Sequence, residues 1–379
     1  MLRRTSVATS TCANPALMEM PRTFSSFGRP VLIPVRAFTR AVLPWSMWPA
    51  VPTTMCFIAI LILVISAIAA PAADRPASEP QDSTPIFRAG VSDVRVEVQV
   101  TSPDGEPIRG LAAGDFLVTD EERQQEIVSC EQAIERASLV LLMDVSESMQ
   151  RFLETITRNA EEALRVLRPG DRVSIVVYAK TAEMHQDFSD NLAETARQIP
   201  LAITGHDVGY TTNINSAVLV AADLIERRAD IMDGHAVDPG RRAILIITDN
   251  LGMNRLLPDD VVIRELYRAE TSLNAIVVGR AIRPAPLDPG AQRNPESTPA
   301  DVYHLAEETG GDVIHSESSE QAFRTMIERI RFRYTLAYHA PRAVPGSFRR
   351  IHVDLTPEAR RRYPGAVLHA RTGYYAAAP

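Results

Sequence analysis

The sequence predicts a doubly wound α/β fold, a mostly parallel sheet flanked by helices, with small flanking β segments before and after it. Three observations predict this. First, apolar runs without alternation recur at 138–143 (SLVLLM), 173–178 (VSIVVY), 243–248 (AILIIT) and 273–278 (LNAIVV). Strands apolar on both faces belong to parallel sheets covered by helices on both sides. Second, helical stripes stand between and after these runs. Leu153, Ile156, Ala160, Ala163, Leu164 and Leu167 keep the spacing of one helix face, closed by Pro169-Gly170, and Ala322, Phe323, Met326, Ile327 and Ile330 repeat it. Third, on either side of 136–333 the pattern changes to the period-two alternation of half-buried strands.

Taken in order, residues 1–54 read as an N-terminal extension, with Met47 and Met55 as alternative starts. It carries arginines at 3, 4, 22, 29, 36 and 40 against a single acid, Glu19. Residues 55–73 contain FIAILILVISAIAA (57–70) followed by Pro71-Ala72-Ala73-Asp74. That fits a secretory apolar region of about 7–15 residues with a small-residue cleavage site better than a spanning helix of about 20. The expectation is a signal peptide or N-terminal anchor, with the remainder secreted, periplasmic or at the cell envelope. Membrane contact is expected only through that segment, if it stays uncleaved. Residues 74–85 form a polar, proline-rich linker with too little apolar surface to order itself. Residues 86–135 read as a small antiparallel β module: Val94, Val96, Val98 and Val100 alternate, Pro103-Asp104-Gly105 turns, and Phe116, Val118 and Ile127 continue the rhythm. The α/β domain occupies 136–333. Residues 334–379 return to strands, through Tyr334-Leu336-Tyr338, Ile351-Val353-Leu355, Val367-His369 and Gly373-Tyr375. The two β segments are expected either to pair with each other or to extend the central sheet.

A chain of 379 residues has room for one large domain and a smaller module, and 45% hydrophobic content is ordinary for a globular protein. A net charge of -7, with no basic face and no interleaving of aromatic and basic residues, excludes nucleic acid as a partner. Arg360-Arg361-Arg362 reads as a solvated turn. Of Cys12, Cys56 and Cys130, only the last follows the apolar segment, so no internal disulfide is expected after it. The eight histidines form no His-x-x-x-His, and neither Cys-x-x-Cys, Gly-x-Ser-x-Gly nor a glycine-rich phosphate loop is present. No histidine or lysine is placed by sequence to activate a serine, so the chain is not read as an enzyme.

What remains is a set of oxygens. Asp144-Val-Ser146-Glu-Ser148 ends the first apolar run, Asp249 ends the third, and Thr212 lies between them. Doubly wound sheets bind ligands at the carboxyl ends of their strands, where strand order reverses, and both aspartates are expected there. Ser146 and Ser148 are two apart, so in an extended exit their hydroxyls point the same way. Two carboxylates and three hydroxyls suit a hard divalent cation such as Mg2+, with Mn2+ or Ca2+ as alternatives. The plainer reading is that Asp144 and Ser146 merely cap the helix starting near Met149.

The order Asp-x-Ser-x-Ser, then Thr within Gly209-Tyr-Thr-Thr-Asn-Ile, then Thr248-Asp249 resembles the metal-ion-dependent adhesion site (MIDAS) of von Willebrand factor type A (VWA) domains, whose fold is Rossmann-like. The flanking segments look like those of the exported bacterial "VWFA-related" family. The resemblance implies a metal held by Ser146, Ser148 and Thr212, with Asp144 and Asp249 acting mostly through water, that accepts an Asp or Glu from a protein ligand. It favours Thr212 over its neighbour Thr211, because a polar residue and an aliphatic one follow it. Two positions depart from the family pattern: Tyr210-Thr211 replaces Gly-Gly, and Asn250 replaces a common Gly. Glu147 reads as a solvated acid, and Asp207 and Asn213 as rim residues. The implied function is an exported, metal-dependent binding module. The alternative is a metal-indifferent scaffold for extracytoplasmic assembly.

Overall fold

The structure, a computed structural model, describes residues 93–376 apart from 133–135, 233, 239, 256, 281–282, 285–296 and 317–318. The expected extension, signal or anchor segment and linker lie outside the described residues. Among those described, no helix is long and apolar enough to cross a membrane.

The alternating valines form β1 (Asp93–Thr101), followed by β2 (Phe116–Asp120), β3 (Arg123–Gln125) and β4 (Ile127–Gln132). The unbroken apolar runs then give β5 (Ala137–Asp144) and, after α1 (Gln150–Leu164), β6 (Arg172–Tyr178). Next come β7 (Ala182–Ser189), α2 (Leu192–Thr204) and α3 (Ile214–Arg228). A two-residue hairpin, β8 (Ile231–Met232) with β9 (His235–Ala236), leads to β10 (Arg241–Thr248) and the short β11 (Met253–Arg255). Then follow α4 (Asp259–Arg268), β12 (Thr271–Val278), β13 (Ser297–Pro299), α5 (Val302–Thr309), β14 (Val313–Ser316) and α6 (Ser319–Arg331). The chain finishes with β15 (Tyr334–His339), β16 (Phe348–Leu355), α7 (Pro357–Arg362), β17 (Val367–Ala370) and β18 (Gly373–Tyr375).

The central sheet has the order β14-β12-β10-β5-β6-β7. All its pairings are parallel except that of the edge strand β7, which is antiparallel to β6. Every residue of β5, β6 and β12 is buried, as their unbroken apolar runs require. Alternate side chains feed two cores. One face packs on α1, α2 and α6 through Leu153, Ile199, Phe323 and Met326, and the other on α3, α4 and α5 through Val218, Leu266 and Leu305. Burying each such side chain is worth about 1.5–3 kcal/mol. The result is the doubly wound α/β domain that the sequence predicts. From β5 the chain moves outward to β6 and β7 on one side, then crosses to β10, β12 and β14 on the other. The strand order therefore reverses between β5 and β10.

Of the two arrangements open to the flanking segments, the structure shows mutual pairing. One antiparallel sheet runs β17-β1-β15-β4 and a second runs β18-β16-β2-β3, so each combines strands from both ends of the described chain. Val96 faces Leu336 in register, and Val118 faces Val353. The two sheets enclose a core of Val94, Val96, Val98, Phe116, Tyr334, Tyr338 and Ile351. Within it the fully buried Asp120 accepts hydrogen bonds from the hydroxyls of Tyr338 and Tyr374, both at 2.9 Å, and pairs with Arg349. Gln99, on the opposite face of β1, is also buried, because there the sandwich rests on the α/β domain: Gln99 Nε2 donates to Asp312 Oδ2 at 2.8 Å.

Candidate metal centre

Asp144 is the last residue of β5 and Asp249 follows β10, its parallel neighbour. The two carboxylates thus sit side by side at the point where the strand order reverses. Both are buried, and each lies in the other's field. Asp144 is fixed from three directions. Its Oδ1 accepts the Ser146 N–H at 3.0 Å, and its Oδ2 accepts Thr248 Oγ1 at 2.8 Å and the Tyr178 hydroxyl at 3.3 Å. Burial, with a smaller contribution from Asp249, pushes the Asp144 carboxyl up to about 6, although the Ser146 and Thr248 hydrogen bonds pull the other way. Burial also raises the Tyr178 phenol well above its ordinary value, which keeps it a donor to Asp144.

Asp249 is held at one oxygen only. Its Oδ1 accepts the Leu251 N–H at 3.1 Å, whereas the buried Oδ2 has no hydrogen-bond partner. Leaving a buried polar group unpaired costs about 1–3 kcal/mol, more if it is charged. The turn that aims it depends on Asn250, which takes a φ of 55°. Asparagine tolerates this left-handed conformation better than most side chains. Asn250 is anchored by its N–H to Thr248 Oγ1 at 3.0 Å and by its Oδ1, which accepts the Val302 N–H at 3.3 Å.

Ser146 occupies the N-cap position of a 3-10 turn, Glu147–Met149, that leads into α1, yet its side chain makes no capping hydrogen bond. The hydroxyl instead lies 3.3 Å from Ser148 Oγ. Helix capping therefore does not account for the serine pair, and Asp144 closes the Ser146 turn rather than the helix. Ser146, Ser148, Thr211 and Thr212 line one open cleft of about 1200 Å³, together with Glu147, Asn213 and Asn250. The threonine loop is pinned by the Asn213 N–H to Ala179 O at 3.0 Å, while the Asn213 side chain caps α3. Gly252 packs so tightly on the loop that a Cβ there would lie 3.2 Å from Thr212 Cγ2. Asp207 is exposed and does not line the cleft.

Sequence reasoning passed over several residues of this site. Thr248 and Tyr178 were legible only as strand-end residues, and nothing local tells that both turn to Asp144. Part of the rim was missed as well: Asn213 and Tyr210 line the opening, and so do Lys180, Leu251 and Met253, which the sequence did not single out. Among the described residues no three His, Cys, Asp or Glu side chains converge as metal ligands. Ser146, Ser148 and Thr212 line the cleft, whereas the buried Asp144 and Asp249 are not among its lining residues.

Residues 139–252 match the family model described as the von Willebrand factor type A domain. No curated protein matches the chain. Among solved structures it is similar to BatB from Bacteroides thetaiotaomicron, at 17% identity over 51% of this chain and 97% of that one, with a TM-score of 0.39. It is also similar to a von Willebrand factor type A protein from Catenulispora acidiphila, at 11% identity over 77% and 76% of the two chains, with a TM-score of 0.40. A third similarity is to proximal thread matrix protein 1 from the mussel byssus, a structure with a zinc-occupied MIDAS motif, at 14% identity over 56% and 50%, TM-score 0.40. At this distance each is a partial likeness of shape and nothing more. Residues 139–252, which carry Asp144 and Asp249 at the switch point of the sheet, are thus similar to the von Willebrand factor type A domain.

Proposed function

We propose that this cleft holds a Mg2+-type ion and that through it the protein binds an Asp or Glu side chain of a protein partner. The observation that carries the reading is Asp249 Oδ2, a buried carboxylate oxygen without a partner, beside a second buried carboxylate and an opening lined by hydroxyls. Two adjacent buried acids repel each other and lose hydration, and a divalent cation offsets both costs. Ser146, Ser148 and Thr212 would hold the ion through neutral hydroxyls, with Asp144 and Asp249 supplying the charge. When bound, such an ion supplies a Lewis-acidic coordination position for an incoming carboxylate. Mn2+ or Ca2+ would suit the same donors.

The protein's own contribution is orientation. Thr248, Tyr178 and the Ser146 N–H fix Asp144, so little rearrangement accompanies binding. The rim supports a protein ligand over a small acid. Tyr210, Leu251 and Met253 are 83%, 60% and 47% exposed around the cleft, an apolar collar that a lone carboxylate would not use. Lys180 adds a cation at the same edge. The apolar segment at 57–70 supports an extracytoplasmic setting for this encounter.

The test is calorimetric titration of Mg2+, Mn2+ and Ca2+ into the chain, with an Asp144→Ala/Asp249→Ala control, followed by pull-down with and without chelator. Saturable binding that the control loses, with chelator-sensitive capture, supports the reading. Absence of metal binding in the intact protein, with assembly indifferent to chelator, would leave the metal-indifferent scaffold instead.

A further inference from the structure

We propose that the cavity between the β sandwich and the amino ends of the central strands is a second ligand site, built for a small anion that presents several oxygen atoms. The cavity measures about 440 Å³. Its walls come from β1, the starts of β10 and β12, the end of α4 and the residues around β15, so it opens at the end of the sheet opposite Asp144 and Asp249.

Four arginines line it: Arg95, Arg242, Arg333 and Arg371. Among the described residues, none of the four forms a salt bridge with a carboxylate. Arg333 is fully buried, and its terminal nitrogens donate only to neutral acceptors: Gly310 O at 2.7 Å, Asn274 Oδ1 at 2.8 Å and Gln99 Oε1 at 3.1 Å. Its buried Nε has no partner. Arg242 donates to Ala269 O at 3.2 Å and Arg371 to Arg95 O at 2.6 Å, and each likewise keeps a buried Nε without a partner. Thr335 Oγ1, on the same wall, is a further buried atom with none.

Three of the four acids on the wall have hydrogen-bonding partners of their own. Asp93 pairs with His339 at 2.8 Å, Glu97 with Arg241 at 3.0 Å, and Asp238 Oδ1 accepts the Gly240 N–H at 2.9 Å. Glu270 remains, and it is exposed. Shutting an unpaired guanidinium away from water costs several kcal/mol unless an anion approaches it. Burial accordingly lowers Arg333 to about 10, with Glu97 only partly opposing the shift. Guanidinium N–H groups match phosphate and carboxylate oxygens in geometry and charge. Several guanidinium groups lining one space, three of them with an unpartnered Nε, favour an anion with several oxygen atoms over a monatomic ion. Phosphate and dicarboxylate share this chemistry.

The test is titration of inorganic phosphate and, separately, succinate into the full chain, against sodium chloride at equal ionic strength. Saturable binding of either probe is expected, weakened about tenfold by Arg371→Gln or Arg242→Gln, both half-buried positions, and unchanged by Asp249→Asn at the far end of the sheet. The better probe identifies the source class. As a readout on the unaltered protein, the bound anion protects Arg371 from phenylglyoxal. The site is refuted if neither probe saturates, if chloride reproduces the heat, or if Arg371 reacts equally fast with and without the anion.

Discussion

Replacing Asp249 with asparagine should change stability in opposite directions with and without metal. The side chain is 2% exposed, Oδ1 takes the Leu251 N–H, and Oδ2 has no partner. An asparagine Oδ1 can accept the same N–H, while the substitution removes a buried negative charge and the repulsion it exerts on Asp144. In chelator, Asp249→Asn should therefore melt no lower than the wild type. The gain is about 1 kcal/mol if the charged orphan costs more than an orphaned amide. In Mg2+ at a hundred times its dissociation constant, the wild type gains about 2.7 kcal/mol by linkage, and the variant should gain almost none. At about 2–4 °C per kcal/mol for a body of this size, the wild type should rise by about 5–10 °C on adding Mg2+ while the variant stays still. Differential scanning calorimetry in EDTA and in MgCl2 reads both. A variant that melts several degrees below the wild type in EDTA would mean that the Asp249 charge is already satisfied within the protein, and the reasoning from its free oxygen would fail.

Gly209 has a φ of 80°, and a Cβ there would lie 2.9 Å from Lys180 Cβ, so Gly209→Ala should cost about 1–2 kcal/mol in thermal melts and weaken metal binding by displacing the threonine loop. Tyr338→Phe removes one of two hydroxyls from the buried Asp120 and should destabilise the chain by about 1–3 kcal/mol in urea, without altering metal affinity. The pH profile of stability should fall on acidification in two steps. Burial holds His369 below its ordinary value although Asp312 opposes this, so the folded state resists protonation that the unfolded chain accepts below about 6.5. Asp312 would be raised by burial, but His369, Arg329 and Gln99 leave it lowered, and that stabilisation is lost as pH falls below about 4 towards its folded value. Because His369 is lowered, Arg329 at 2.7 Å and Gln99 are the partners of Asp312 near neutrality. His369→Gln should abolish the upper step and shrink the lower one, because His369 helps to lower Asp312, as followed by denaturant midpoints from about pH 3 to about pH 8.

The strands legible in the sequence were those with one unambiguous environment. β5, β6, β10 and β12 read as continuous apolar runs because both of their faces are covered, and β1, β15 and β16 alternate because one face meets the sandwich core. β7 was not legible. AEMHQDFS pairs on one side only, and its half-exposed edge leaves little apolar pattern to find. β14, four residues long and half-buried, escaped for the same reason. In the site, Asp144 and Asp249 could be placed because a strand end fixes a residue whatever the loop does afterwards. The Asp144 contacts to Thr248 and Tyr178 depend on neighbours across the sheet, 104 and 34 residues away in sequence, which no local spacing encodes. The arginine-lined cavity was invisible for a related reason, since its walls come from distant segments that meet only where the sandwich rests on the α/β domain.

That pairing has a kinetic consequence. Tyr338 meets Asp120 at a sequence separation of 218, and β1 lies between β15 and β17, so neither sheet of the sandwich can close until the far end of the chain arrives. Contacts of such long range slow folding, because the loop must be closed before any contact rewards it. The α/β domain between them is built from nearer neighbours and needs no such wait. It should form first and bring the two ends together, making the sandwich the last part to assemble and the first to open when either end is pulled.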